Sequence, residues 1–330
     1  MSIGLQHLLL LLLPLLAMGE EWCTNKNSDG SHVVTGGAGI CALSSIVQIL
    51  NGKSLEIEKS GTGDAILSGG DSTNLFEVFG TLKLKNLIIQ NGKSSIISTS
   101  GYKSSSDEEP LKGTIGGAII GRAGAIIDIV GTILRNNVAD LGGAMFVTGG
   151  GTTNQKVVTT LTMTDSTFEG NTAQSAGAIL AMRFAKVIVL SGKEVFFNKN
   201  IASTMGGAVV LHCSRFEVAS DSTVTFDSNE AKISGGAMEV GYAEAGSTDN
   251  LEIFGHMNVV GNKVDGGCGG GIMTAKCGFD EASCDALYRN GGDGDSAGDS
   301  GGDSGGDSGG DSAGDSGGDS GGDSAGDSAG

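Results

Sequence analysis

The sequence predicts an all-β protein: a single-stranded, right-handed parallel β-helix of roughly eight rungs, followed by a disordered C-terminal tail. Three observations predict it. Two linked motifs recur at a spacing of about 30 residues. Short stretches between them alternate apolar and polar residues. Glycine accounts for 59 of the 330 residues, while proline accounts for only two.

The chain opens on a targeting segment, residues 1–19. Leu8 to Leu16 is apolar except for Pro14, and Ala17-Met18-Gly19 places small residues where a signal peptidase cuts. The run is too short for a bilayer, which needs ~20 residues, so it reads as a secretory signal peptide. No later stretch is long and apolar enough to be a transmembrane helix. The expected location is secreted, extracellular or cell-surface. Residues 20–44 are expected to form an N-terminal cap.

Residues 45–290 carry the repeats. A Gly-Gly-Ala-apolar element occurs as Gly116-Gly117-Ala118-Ile119, Gly142-Gly143-Ala144-Met145, Gly206-Gly207-Ala208-Val209 and Gly235-Gly236-Ala237-Met238, with variants Ala176-Gly177-Ala178-Ile179 and Gly270-Gly271-Ile272. A few residues upstream of most copies, an apolar residue is followed three positions later by asparagine. The pairs are Ile133/Asn136, Phe168/Asn171, Phe197/Asn200, Phe226/Asn229 and Val259/Asn262. Around them, Leu55-Glu56-Ile57, Leu82-Lys83-Leu84, Leu161-Thr162-Met163 and Val224-Thr225-Phe226 alternate with period two. Such runs are half-buried strands, and strands at a fixed repeat imply a solenoid.

A parallel β-helix accounts for both motifs. Rungs stack ~4.8 Å apart, so equivalent side chains form ladders along the axis. Asparagine at one position of every rung can hydrogen-bond above and below, which assigns Asn136, Asn171, Asn200, Asn229 and Asn262 to a structural ladder. The phenylalanines fill the interior. The glycines sit where the chain turns sharply or rungs crowd. Proline is scarce because each strand needs its N–H for the neighbouring rung. These residues read as scaffold rather than as a site.

The paired GGA[I/L/V] and FxxN elements resemble the repeats of the chlamydial polymorphic outer membrane protein family and, more broadly, pectate-lyase-like right-handed β-helix proteins. The likeness covers residues 113–275 through the motifs and 45–110 more loosely, through Thr81 to Gly92. Similar repeats also occur in secreted proteins of algae and other protists. The resemblance implies a surface-exposed adhesin passenger exported through a C-terminal barrel. The chain departs from that pattern by closing on an acidic tail.

All six cysteines lie in the body, where secretion permits disulfides. Cys23–Cys41 is the first expectation, as a clasp on the N-terminal end. Cys277–Cys284 or Cys268–Cys284 would clasp the C-terminal end. Aligning Gly206 with Gly270 places Cys213 and Cys277 at one position two rungs apart, ~9.6 Å and too far to bridge. A zinc site is disfavoured by the absence of CxxC spacing.

Residues 291–330 repeat Gly-Gly-Asp-Ser or Ala-Gly-Asp-Ser. Ten aspartates, no Lys or Arg and 17 glycines lie here. With no apolar residue larger than alanine, the segment cannot offset its ordering entropy. Its carboxylates suit weak, multivalent Ca2+ association, and otherwise no cofactor or metal is expected. The tail supplies more than half of the net charge of −18, which argues against a nucleic-acid partner.

No catalytic residue is assigned. Gly302-Asp303-Ser304-Gly305-Gly306 looks like a protease nucleophile segment, but it recurs in low complexity without a strand–turn–helix context. Polygalacturonase and pectate-lyase signatures are absent. Three insertions stand out: Ser98–Lys112, Gly149–Lys156 and Ala243–Asn250. The last two share a register just after the strand that follows GGA, so they would project from one edge. The expected function is a non-enzymatic, adhesin-like surface protein presenting a strand face and this loop edge to a glycan or protein partner. The alternative is a carbohydrate-active β-helix enzyme.

Overall fold

The structure, a computed structural model, describes residues 24–26, 32–37, 39–97, 113–152, 155–241, 251–267, 269–274 and 288–289. The chain divides into two compact units, Met1–Asp295 and Ser296–Gly330, and the described residues all belong to the first. The signal segment 1–19 and the acidic tail 291–330, with its expected disorder and Ca2+ association, lie outside the described residues.

The described chain contains no helix and forms a parallel β-helix. Each rung contributes one strand to each of three faces. The first face runs from His32–Thr35 through strands such as Thr81–Lys85 and Ala185–Val189 to Leu251–Ile253. The second runs from Ile40–Ala42 through Glu194–Asn198 to His256–Val260. The third runs from Val47–Ile49 through Val209–His212 to Ile272–Thr274. Each face holds eight parallel strands, so there are eight rungs. A short fourth sheet joins Thr172–Ala173, Ile201–Ala202, Glu230–Ala231 and Lys263–Val264. Two antiparallel strands close ends of the stack: Thr24–Lys26 on His32–Thr35, and Tyr288–Arg289 on Ile272–Met273.

The first rung begins inside the segment 20–44 expected to be a cap. His32–Thr35 pairs in parallel with Ser54–Ser60, and Ile40–Ala42 pairs with Ile66–Ser68. These strands bury only Val34 and Cys41 among the apolar residues described. One inward side chain per strand is too few to display alternation.

Period-two alternation holds over most of the first two faces, although Ile88–Gln90 on the second is buried at all three positions. Thr81–Lys85 and Thr223–Asp227 bury every second residue, and the buried ones stack in register. On the second face the interior ladder is Cys41, Leu67, Ile89, Leu134, Phe168, Phe197, Phe226 and Val259. The phenylalanine rings stack at 4.9 Å between centroids, with interplanar angles of 14° and 8°. That spacing is the strand spacing itself, and each such aromatic pair contributes ~1 kcal/mol beyond its area.

The third face breaks the alternation. Ile179–Met182 is buried at all four positions. Its inward residues join the main core, while Ile120, Phe146, Leu180 and Val210 point to the other side and pack with Ile115, Leu141 and Ala176 in a second apolar layer. The same outward row holds Glu77 and Glu239. Arg122 and Gln48 hydrogen-bond the Glu77 carboxylate at 2.8–2.9 Å, and the Ser234 hydroxyl donates to Glu239. A buried carboxylate is tolerated when it is partnered in this way.

Candidate functional site

The asparagine ladder lies where the second face bends toward the third. Asn171 Nδ2 donates to Asn200 Oδ1 at 3.0 Å, Asn200 Nδ2 to Asn229 Oδ1 at 2.9 Å, and Asn229 Nδ2 to Asn262 Oδ1 at 2.8 Å. The same Oδ1 atoms accept the backbone N–H of the preceding asparagine at 2.9–3.1 Å. The second amide hydrogen goes to a carbonyl of the preceding rung, as from Asn200 to Phe168. Each carboxamide is thus spent on its neighbours.

The fourth-rung member is Asn137, not Asn136. Asn137 is fully buried and donates to Asn171 Oδ1 at 2.9 Å, while Asn136 is exposed with φ 53°. The sequence reading paired Asn136 with Ile133, but Leu134 is the residue in register with Phe168. Asn136 occupies the left-handed position taken by Gly170, Lys199, Ser228 and Gly261 in the following rungs. Asparagine suits that conformation better than most residues.

The glycine pairs divide the work at the entry to the third face. The first member is left-handed: Gly116, Gly142, Gly206 and Gly235 have φ of 57–68°. The second member crowds the next rung. A Cβ on Gly117, Gly143, Gly177, Gly207 or Gly236 would overlap the carbonyl oxygen of its successor in that row, which ends at Gly270. The last rung shifts the reading by one residue. Gly269, with φ 81°, takes the left-handed place, Gly270 the crowded one, and Gly271 the place of alanine, because Met238 pairs with Ile272. The alignment of Gly270 with Gly206 is therefore off by one residue.

Cys41 is buried and disulfide-bonded. Cys23, Cys268, Cys277 and Cys284 lie outside the described residues. Among the described residues no group of three His, Cys, Asp or Glu side chains could hold a metal ion, and no helix is long and apolar enough to cross a membrane.

One of the expected insertions falls largely within the described residues. Of the three insertions, Ser98–Lys112 and Ala243–Asn250 lie outside the described residues. Residues 149–156 form an antiparallel hairpin, Gly150–Thr152 against Gln155–Val157, in which Lys156 faces Gly151. The hairpin overhangs the corner where the fifth and sixth rungs pass from third to first face. Here Arg183, Phe184 and Cys213 have φ of 43°, 62° and 49°, values that cost a non-glycine residue roughly 1–2 kcal/mol each. The strain is held in place by hydrogen bonds from Arg183 N to His212 O at 3.0 Å and from Phe184 N to Cys213 O at 2.7 Å. Gly149 lets the hairpin close on the corner, since a Cβ there would strike the Arg183 carbonyl.

Two side-chain pairs lie at this corner, Lys156 with Phe184 and Arg183 with His212. The Lys156 ammonium lies 4.9 Å from the centre of the half-buried Phe184 ring, a cation–π contact worth ~0.5–1 kcal/mol where exposed. Arg183 is exposed. His212 is partly buried, and burial first, then the Arg183 charge, lowers its pKa from 6.5 to about 4. Its imidazole is neutral at physiological pH. The cluster offers two fixed cations, an aromatic ring and a neutral imidazole, which suits recognition of an anion better than general acid–base work. The insertion at Gly149–Lys156 was marked by its length in the sequence, but the cluster itself was missed. Lys156 and Arg183 lie 27 positions apart, and only the rung register brings them together.

Comparison of the chain with protein-family models, with curated proteins and with solved structures found no match.

Proposed function

We propose that the chain is a non-enzymatic, adhesin-like protein of the cell surface or extracellular space, a rigid solenoid that presents its loop edge to a glycan or protein partner. One observation carries the reading: the ladder asparagines are spent on neighbouring rungs, whereas Lys156 and Arg183 have no carboxylate partner among the described residues. The likeness of the GGA and FxxN elements to the chlamydial polymorphic outer membrane protein repeats supports the same reading, as does the signal-like segment 1–19. A scaffold fixed by ladders holds its surface groups in place before a ligand arrives, which lowers the cost of binding. A glycan array combined with a reducing-sugar assay tests it. Binding without release of reducing ends is expected. Release of product would point instead to a carbohydrate-active enzyme.

A further inference from the structure

The corner of the fifth and sixth rungs supports a more specific assignment, which rests on the binding reading above. We propose that Lys156, Arg183 and Phe184, with His212 behind them, form a site for an acidic saccharide, a sugar ring carrying a carboxylate or sulfate.

The cations nearest in the register are already engaged. Lys186 bridges Glu217 at 2.9 Å, and Arg215 pairs with Glu252. Lys156 and Arg183 have no carboxylate partner among the described residues. Two such cations at one corner locally offset a net-acidic chain. They would bind an anion through charge-assisted hydrogen bonds, the guanidinium in bidentate fashion.

The corner is also built rather than incidental. Two consecutive left-handed residues, Arg183 and Phe184, separate the strand Ile179–Met182 from the strand Ala185–Val189. Backbone strain of this kind persists only where the surroundings fix it, and it clusters at binding sites. The inserted hairpin leaves the fourth rung and brings Lys156 onto the Phe184 ring. An aromatic ring beside two cations matches a ligand that has both an apolar face and an anionic group. A bare inorganic anion would have no use for the ring.

The test uses the full secreted chain and three oligosaccharide probes of similar length: an oligogalacturonate, a sulfated galactan fragment and a neutral galactan fragment. Titration calorimetry is expected to show the acidic probes binding at least tenfold more tightly than the neutral one. Their affinity should fall with added salt, and the better of the two acidic probes names the anionic group. Arg183→Gly suits the backbone at φ 43° and removes the guanidinium; Lys156→Ala removes the ammonium. Each should weaken acidic binding about tenfold and leave neutral binding unchanged. Lys53→Ala, on an exposed turn elsewhere, should have no effect. Circular dichroism melts check that each variant folds, and Arg183→Lys should recover part of the loss.

The proposal is overturned if neither acidic probe binds more tightly than the neutral one, or if acidic binding survives the Lys156→Ala/Arg183→Gly pair. In the latter case the broader reading stands with its ligand on another surface. Release of reducing ends from a probe would overturn the broader reading itself.

Discussion

The carboxamide of Asn137 donates to Oδ1 of Asn171 at 2.9 Å, and the backbone N–H of Asn137 reaches the same oxygen at 3.0 Å. One buried oxygen thus satisfies two donors of the rung before it. Asn136, one residue earlier, shares none of this and lies in solvent. Replacing Asn137 with alanine removes its own bonds and leaves the Gly92 N–H and the Ile89 carbonyl without the partners they now have. A loss of ~3 kcal/mol is expected, since unsatisfied buried groups cost ~1–3 kcal/mol each. Asn136→Gly should change stability by less than about 1 kcal/mol. Urea denaturation of both variants checks the order.

Two glycines should respond to alanine in different degrees. Gly207 lies against the Gly236 carbonyl oxygen, with no room for a Cβ. Gly207→Ala should cost more than ~4 kcal/mol or prevent folding, as backbone must separate from backbone. Gly192 has a left-handed φ of 68°, and a Cβ there would meet nothing within 4 Å. Gly192→Ala should cost only ~1–2 kcal/mol, and thermal melts would separate the two.

The His212 imidazole is expected to titrate near 4, well below the ~6.5 of an exposed histidine. Burial is the main cause and Arg183 adds to it. A depressed pKa means that the folded state binds fewer protons than the unfolded state between these values. The stability this contributes is fully present above ~6.5 and is lost as pH falls to about 4. The whole window corresponds to up to ~3 kcal/mol. Arg183→Gly should raise the midpoint toward 6.5, as followed by the imidazole NMR shifts. An unperturbed midpoint in the parent chain would contradict the geometry of the corner.

Glu239 shifts the other way. Burial raises its pKa, and the Ser234 hydrogen bond offsets this only in part. The folded state therefore holds the proton more tightly. Its favourable contribution is complete below the ordinary carboxylate pKa of ~4.3 and is lost as pH rises through the higher folded value. Glu239→Gln should stabilise the protein at pH 7, with the gain vanishing near pH 4. A gain independent of pH would sink this assignment.

Much of the architecture was legible because it is periodic. Phe168, Phe197 and Phe226 each precede their asparagine by three residues, and that spacing set both ladders. The error at Asn136 came from a rung with two adjacent asparagines and two adjacent apolar residues, Ile133 and Leu134. Either pair preserves the spacing of three, and only the pairing of Leu134 with Phe168 decides between them. The last glycine element failed for the same reason, since Gly269, Gly270 and Gly271 offer two frames. The outward layer of Ile120, Phe146, Leu180 and Val210 was not legible. A strand buried on both sides carries no alternation, so its two faces look alike in sequence. The Arg183 corner was hidden more deeply, because its parts come from successive rungs and an insertion.

Each of these assignments depends on eight rungs stacked in the observed register. Ala42 and Val260 occupy the same outward row of the second face, in the first and last rungs. Both are exposed. Nitroxide-bearing non-canonical amino acids placed at these two positions, which leave every cysteine untouched, would report the stack directly by pulsed electron paramagnetic resonance. Seven spacings of ~4.8 Å predict a single narrow distance of ~34 Å between the backbones, broadened only by the label arms. A broad distribution, or a peak displaced by more than about two rung spacings, would contradict the parallel β-helix and with it the placement of the corner.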